Sequence, residues 1–365
     1  MILQTDPKAA YLEHREEIDE AVQRVLGSGW YIHGREVRAF EEEFATYLGV
    51  KHAVAVASGT DALELALRAC GIGPGDLVAT VSHTAVATVA AVELAGATPF
   101  LVDVDPRTLT LDVAGLEEMF AGPEGQRIRA VLPVHLYGQA ADLPRIRGIC
   151  RRHGAILIED CAQAHGATRN GKAAGNLATA GCFSFYPTKN LGALGDGGAV
   201  TTGDAALAER LRELRQYGWD KKYQVSRTGG RNSRLDELQA ALLLAKLPHL
   251  DRWNEDRRAL ARRYSNEISH PRIECPQDFG ADNVAHLFVV RCRDRDGLQR
   301  HLEAHDVASD IHYPIPDHRQ PAYPVSDAGE LPETERLAKQ ILTIPCFPEM
   351  EEEEIGRVIK AVNSW

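Results

Sequence analysis

Ala155-Ile156-Leu157-Ile158-Glu159-Asp160-Cys161-Ala162-Gln163-Ala164-His165 is an apolar run that ends on charged and polar residues. Ala155 to Ile158 has the length and character of a buried strand, and a carboxylate follows it. In open α/β sheets ligands bind outside the carboxyl ends of parallel strands, so the location of Asp160 matters more than its residue type. Gln163 and His165 add two neutral polar groups near the same crevice. An ordinary helix cap at Asp160 is the competing explanation.

Outward from this run the chain alternates. Upstream, His52 to Ala57, Leu77 to Val81, Pro99 to Val104 and Ala130 to Val134 read as short apolar strands. Ile18 to Leu48, Asp61 to Cys70, Val86 to Ala95 and Leu143 to His153 carry helical spacing. Apolar strands separated by helices predict an α/β fold with a mostly parallel central sheet covered on both faces. From Leu235 to about Tyr264 the apolar positions fall at helical spacing, which predicts one long helix leading out of the main domain. The expected division is a large domain over 1–247 and a smaller C-terminal α/β domain over 248–365, the latter with a strand at His286 to Arg291 and a helix at Arg295 to His305. Glu351 to Glu354 opens the last helix, where carboxylates complement the helix dipole.

The 365 residues exceed the size at which a single core keeps growing, and 44% apolar with 25% charged residues is ordinary globular composition. The net charge of −11 opposes a phosphate backbone, and no basic stripe offsets it, so nucleic acid is not expected as a partner. Met1 to Glu20 mixes acids and bases and has no apolar segment of the secretory kind, and no run is long enough to span a membrane. Seven cysteines without a C-x-x-C pair suggest neither a zinc site nor a disulfide framework, which fits a reducing cytoplasm.

Two further segments carry chemistry. Ser58-Gly59-Thr60-Asp61 lies between a strand and a helix. Glycine there admits a ligand close to the backbone, and free helix amides with the Thr60 hydroxyl favour a phosphate, although a plain N-cap is the simpler reading. Gly181-Cys182-Phe183-Ser184-Phe185-Tyr186-Pro187-Thr188-Lys189-Asn190-Leu191-Gly192 puts a lysine between proline and glycines, on a shaped loop rather than a helix. Lysine forms Schiff bases with carbonyl cofactors, and pyridoxal phosphate also needs an acidic partner for its ring nitrogen.

Phosphate turn, strand-end aspartate and loop lysine occur in the order and spacing of fold-type-I pyridoxal enzymes. The whole chain resembles the DegT-type nucleotide-sugar aminotransferases. The resemblance runs through Gly29-Trp30-Tyr31, Ser58-Gly59-Thr60-Asp61-Ala62, His135-Leu136-Tyr137-Gly138, the Asp160 and Lys189 segments, Asn232-Ser233-Arg234-Leu235-Asp236-Glu237-Leu238-Gln239-Ala240 and Ile311-His312-Tyr313-Pro314. It implies pyridoxal 5'-phosphate as cofactor, with pyridoxamine phosphate formed in the half-reaction. Lys189 would carry the cofactor, Asp160 would bond the ring nitrogen and Gln163 the ring hydroxyl. Gly59, Thr60 and Ser184 would hold the phosphate together with Asn232 of a second subunit, so the resemblance also implies a homodimer with shared sites. Many relatives have an aromatic residue where this chain has Ala85, and His83 is either its substitute against the ring or a surface histidine at a strand end. Tyr186, Tyr223, His312 and Tyr313 are the candidate substrate contacts.

The implied reaction moves an amino group from glutamate to a nucleotide-linked keto-6-deoxyhexose, and the wording of the Lys189 loop is closest to relatives acting at C-3 of dTDP-sugars. Amination at C-4 is the alternative. A sugar dehydratase on this scaffold would carry histidine at position 189, and a non-catalytic regulator would not need Lys189, Asp160 and Gln163 together.

Overall fold

Seven strands, β1 (His52–Val56), β2 (Leu77–Val81), β3 (Thr98–Val102), β4 (Ile128–Val131), β5 (Ile156–Asp160), β6 (Ala180–Ser184) and β7 (Gly198–Thr202), form one sheet in the order β1-β7-β6-β5-β4-β2-β3. The computed structural model describes residues 1–323 and 330–365. Pairings from β3 through β2, β4 and β5 to β6 are parallel, and β7 runs antiparallel to both β6 and β1. The chain is thus the mixed α/β architecture with a mostly parallel sheet that the alternating pattern predicts.

β2 is buried at all five positions, as a strand covered on both faces must be. Its one polar side chain, Thr80, donates to the Leu132 carbonyl at 2.7 Å, so β2 leaves no side-chain polar group unmatched. Side-chain alternation sorts the two faces. Ile158 and Cys182 pack with Leu63, Leu67 and Leu211 on one side, whereas Leu157 packs with Ile146 and Phe183 with Phe40 and Phe44 on the other.

Two predicted helices are each two. Ile18 to Leu48 divides into α1 (Arg15–Ser28) and α2 (Arg35–Leu48), because Gly29 adopts φ 64° and ends α1 with a left-handed cap. Helix α3 (Gly59–Ala69) follows β1, and α4 (Leu143–His153) precedes β5. The stretch from Leu235 to Tyr264 divides into α5 (Glu237–Lys246) and α6 (Leu250–Glu267), with a 3₁₀ turn at Leu247–His249 around Pro248. Apolar spacing continues across that break, so periodicity alone does not reveal it.

Beyond α6, β8 (Phe288–Arg291) pairs antiparallel with β9 (Ile341–Ile344), and Tyr264, Leu298, Leu302 and Val358 pack with Phe288 into a separate apolar cluster. Ile2 returns to this cluster through a bridge to Val307. The last helix, α7 (Glu352–Asn363), starts with a reciprocal capping box between Glu351 and Glu354. Among the described residues no helix is long and apolar enough to cross a membrane, and all seven cysteines are free.

The start of α2 is capped from outside its own sequence. Glu237, at the first turn of α5 and 2% exposed, accepts from Gly34 N at 2.7 Å, Val37 N at 3.0 Å and Glu36 N at 2.8 Å. One carboxylate therefore satisfies three orphan helix amides. Glu237→Ala is expected to lower unfolding stability by about 3 kcal/mol or more, since charged hydrogen bonds of this kind contribute roughly 1.5–3 kcal/mol each. Glu237→Gln, which keeps one acceptor oxygen, should fall between. Urea midpoints equal to wild type in both variants would contradict this.

Candidate active site

Asp160 is the last residue of β5, in register with Cys182 of β6. Its Oδ2 accepts from the Thr88 hydroxyl at 2.9 Å and its Oδ1 from Ala162 N at 3.1 Å. Thr88 sits at the start of the helix Ala87–Leu94 and is in turn within 3.1 Å of the Thr84 hydroxyl. Burial pushes the Asp160 carboxyl upward, and the Ala162 amide, Thr88, Lys189 and His135 pull it back. The result is an oriented carboxylate in a place where an unpaired one would be costly.

Lys189 lies on the loop between β6 and β7. The loop is pinned by Phe185 N to Gly197 O and Ala193 N to Phe185 O, both 2.8 Å, and Lys189 N donates to Tyr186 O at 2.8 Å. Next to it, Asn190 Nδ2 donates to Asn254 Oδ1 at 2.8 Å while Asn190 Oδ1 meets His286 Nδ1 at 2.9 Å. Burial lowers the Lys189 ammonium to about 8, against the attraction of Asp160. The two groups therefore act on each other directly across the site. Burial, and then the Lys189 charge, also holds His165 down at about 3 and pushes His286 well below its ordinary value.

At the start of α3, Ser58 Oγ accepts from Asp61 N at 3.1 Å, while the Gly59 and Thr60 amides find no acceptor among the described residues. A Cβ added at Gly59 would lie 2.6 Å from Ser184 Cβ. Only glycine lets this helix start approach the end of β6, and two free amides beside two hydroxyls form an anion cradle.

Between the two sides runs a chain of polar contacts. Gln163 Oε1 accepts from Tyr137 N at 2.6 Å and its Nε2 donates to Tyr313 OH at 3.0 Å. Tyr137 OH donates to the His312 carbonyl and lies 3.0 Å from His83 Nε2, which assigns that ring proton to Nε2. His83 is 1% exposed, so it is not a surface histidine, and its Nδ1 is buried without a partner. His312 Nδ1 meets Thr343 Oγ1 at 2.9 Å, tying the small lobe to this chain of contacts.

Asp160, Lys189, Gln163, His83, His312 and Tyr313 thus converge, as do Gly59, Thr60 and Ser184. Tyr186 joins them through its backbone, bonding Lys189 N and Ser184 Oγ, while its side chain is exposed; Tyr223 and Asn232 are exposed and make no such bond among the described residues. Tyr223 stands in the hairpin after Trp219, with the two rings 5.5 Å apart, and the Asn232 side chain bonds none of the cradle residues of its own chain among the described residues.

Three contributors carry no role in the sequence reading. Thr88 and Tyr137 become visible only through tertiary contacts. The third is the buried pair His135 and Glu159. His135 Nδ1 accepts from Ala141 N at 3.1 Å, which leaves Nε2–H to donate to Glu159 Oε2 at 3.1 Å. Glu159 also accepts from Gly175 N and Leu177 N, both at 2.9 Å. With these partners satisfied, the pair fastens the end of β5 and is better explained as scaffold than as a metal site.

The residues present fit pyridoxal phosphate. A lysine of lowered pKa and an oriented carboxylate favour each other's charge, an anion cradle that a Cβ would fill lies at a helix start, and the His83 Nδ1 is buried without a partner among the described residues.

Known proteins give the same direction. A model of the DegT/DnrJ/EryC1/StrS aminotransferase family matches residues 12–363. The chain is 50% identical to the erythromycin biosynthesis sensory transduction protein EryC1 of Saccharopolyspora erythraea, covering 98% of each chain. It is 49% identical to the dTDP-3-amino-3,4,6-trideoxy-alpha-D-glucose transaminase of Streptomyces venezuelae, over 99% of this chain and 95% of that one. The crystal structure of S. venezuelae DesV with a ketimine intermediate superposes with a TM-score of 0.95 at 48% identity, covering 100% of this chain and 98% of that one.

In cofactor-free protein, competitive acylation read by mass spectrometry should show Lys189 titrating near pH 8 rather than near its usual 10.5. Removing the opposing charge in Asp160→Asn should move that midpoint lower. A wild-type midpoint near 10.5, or an upward shift in the variant, would contradict the proximity of the two groups.

Proposed function

Because the chain belongs to the DegT/DnrJ/EryC1/StrS aminotransferase family, we propose that it is a pyridoxal-phosphate-dependent enzyme transferring the amino group of glutamate to a nucleotide-linked keto-6-deoxyhexose. The observation that carries this reading is the strand-end Asp160, held by Thr88 and Ala162 N, together with the loop lysine Lys189 and the glycine cradle at Gly59. The bound cofactor supplies an aldehyde for the lysine and a protonated ring that draws off carbanion electrons.

The chain's own groups divide the remaining work. Asp160, held by Thr88 and Ala162 N, keeps the proton on the ring nitrogen. The Gly59 and Thr60 amides with Ser184 Oγ hold the phosphate. Gln163 would bond the ring hydroxyl, and His83 would stand in for the aromatic residue absent at Ala85. A Lys189 amine with a pKa near 8 is partly neutral at physiological pH, so its Nζ takes the proton from the donor α-carbon and returns one to the acceptor. Tyr186, Tyr223, His312 and Tyr313 contact the nucleotide-sugar.

The reading includes a homodimer in which Asn232 completes the partner's phosphate site, and its exposure in the single chain supports that role. It includes the division at 247–248, where the turn Leu247–His249 interrupts the helices, and a cytoplasmic location, in keeping with seven free cysteines. The name of the S. venezuelae relative supports C-3 of a dTDP-sugar as the position aminated. The name of EryC1 favours a second reading, a regulator on the same fold.

Purified protein with pyridoxal phosphate should turn yellow, be bleached by glutamate and aminate a 3-keto dTDP-sugar in preference to its 4-keto isomer. Lys189→Ala should lose the colour of the lysine-bound cofactor and at least about a hundredfold in turnover. Full activity in that variant would refute the assignment. Wild-type protein that stays colourless would support the regulator, and preference for the 4-keto isomer would move the amination to C-4.

A further inference from the structure

A separate cavity of about 40 Å³ is lined by the Lys189 loop together with Lys246, Trp253, Arg257 and Glu349 and the N-terminal segment around Asp6. None of Gly59, Thr60, His83, Asp160, Gln163 or Ser184 lines it. Its walls are rich in donors that have nothing to bond. Among the described residues Trp253 Nε1 and Arg257 Nε are buried without an acceptor, and the residues that carry them are 5% and 7% exposed. Lys246, also 5% exposed, spends one donor on Gly192 O at 2.7 Å and has two others. Arg257 uses Nη1 on the Cys346 carbonyl at 2.6 Å, which leaves its Nε aimed elsewhere.

Leaving two such donors unmatched would cost about 1–3 kcal/mol each. Charge points the same way. Lys189, Lys246 and Arg257 face two carboxylates, Glu349 and Asp6, and Asp6 is already occupied in accepting from Lys8 N and Ala9 N. A void of this size admits a monatomic anion or water molecules.

We propose that this cavity binds one small monovalent anion of the halide class, held by Trp253 Nε1, Arg257 Nε and Lys246 Nζ. Through the bond from Lys246 to Gly192 O, the anion site is coupled to the loop that carries Lys189.

Bromide is the probe. Crystals of the full-length protein soaked in bromide should show an anomalous peak between Trp253 Nε1 and Arg257 Nε. In solution, ³⁵Cl line broadening should saturate with chloride and be displaced by bromide. Trp253→Phe removes one donor with little change of shape, and Lys246→Met removes the charge. Each should weaken halide binding about tenfold, the effect of losing one charge-assisted bond, and should lower or abolish the peak. Ordered water in the cavity with no anomalous signal would overturn the proposal. So would a halide peak and broadening that persist unchanged in both folded variants.

Discussion

The site depends on holding one carboxylate in a fixed orientation where burial opposes its charge. Asp160 stands at the end of a strand inside the sheet, and burial alone would drive it toward the neutral acid. Thr88, the Ala162 amide and the facing Lys189 counter that pressure, and each comes from a different part of the chain. The same proximity lowers the cost of burying Lys189, so neither group is well explained without the other.

The rest of the fold delivers these partners. Parallel strands β2, β4, β5 and β6 bring their carboxyl ends to one edge, which is why His83, Tyr137, Asp160 and Ser184 gather despite wide separation in sequence. His135 and Glu159 fasten that edge through backbone amides. Gly59 lets a helix start approach Ser184 closely enough to make an anion cradle. From the C-terminal part of the chain, the His312 carbonyl and Tyr313 hydroxyl reach Tyr137 and Gln163, so segments far apart in sequence close the site.

Local signals made parts of this legible in the sequence. β2 reads correctly because every side chain in it is apolar or able to bond a neighbouring carbonyl. α4 reads correctly because Asp142 caps its start and Gly154, at φ 68°, ends it. Where apolar spacing ran on past a break, as at Gly29 and Pro248, one helix was expected in place of two. Asp160 and Lys189 were legible because their types and positions answer a chemical need. Thr88 and Tyr137 were not, since a threonine on a helix and a tyrosine after a strand have no distinguishing spacing, and only tertiary contact gives them partners. Asn232 and Tyr223 are exposed in a single chain, where no contact with the site residues reveals a role for them.

The pairing of amine, carboxylate and phosphate cradle is a claim about where a carbonyl cofactor is captured. Protein incubated with pyridoxal phosphate, reduced with borohydride, digested and mapped by mass spectrometry reads that directly. One phosphopyridoxyl group per chain, on Lys189, is expected; labelling spread over surface lysines, or centred on Lys246, would contradict it.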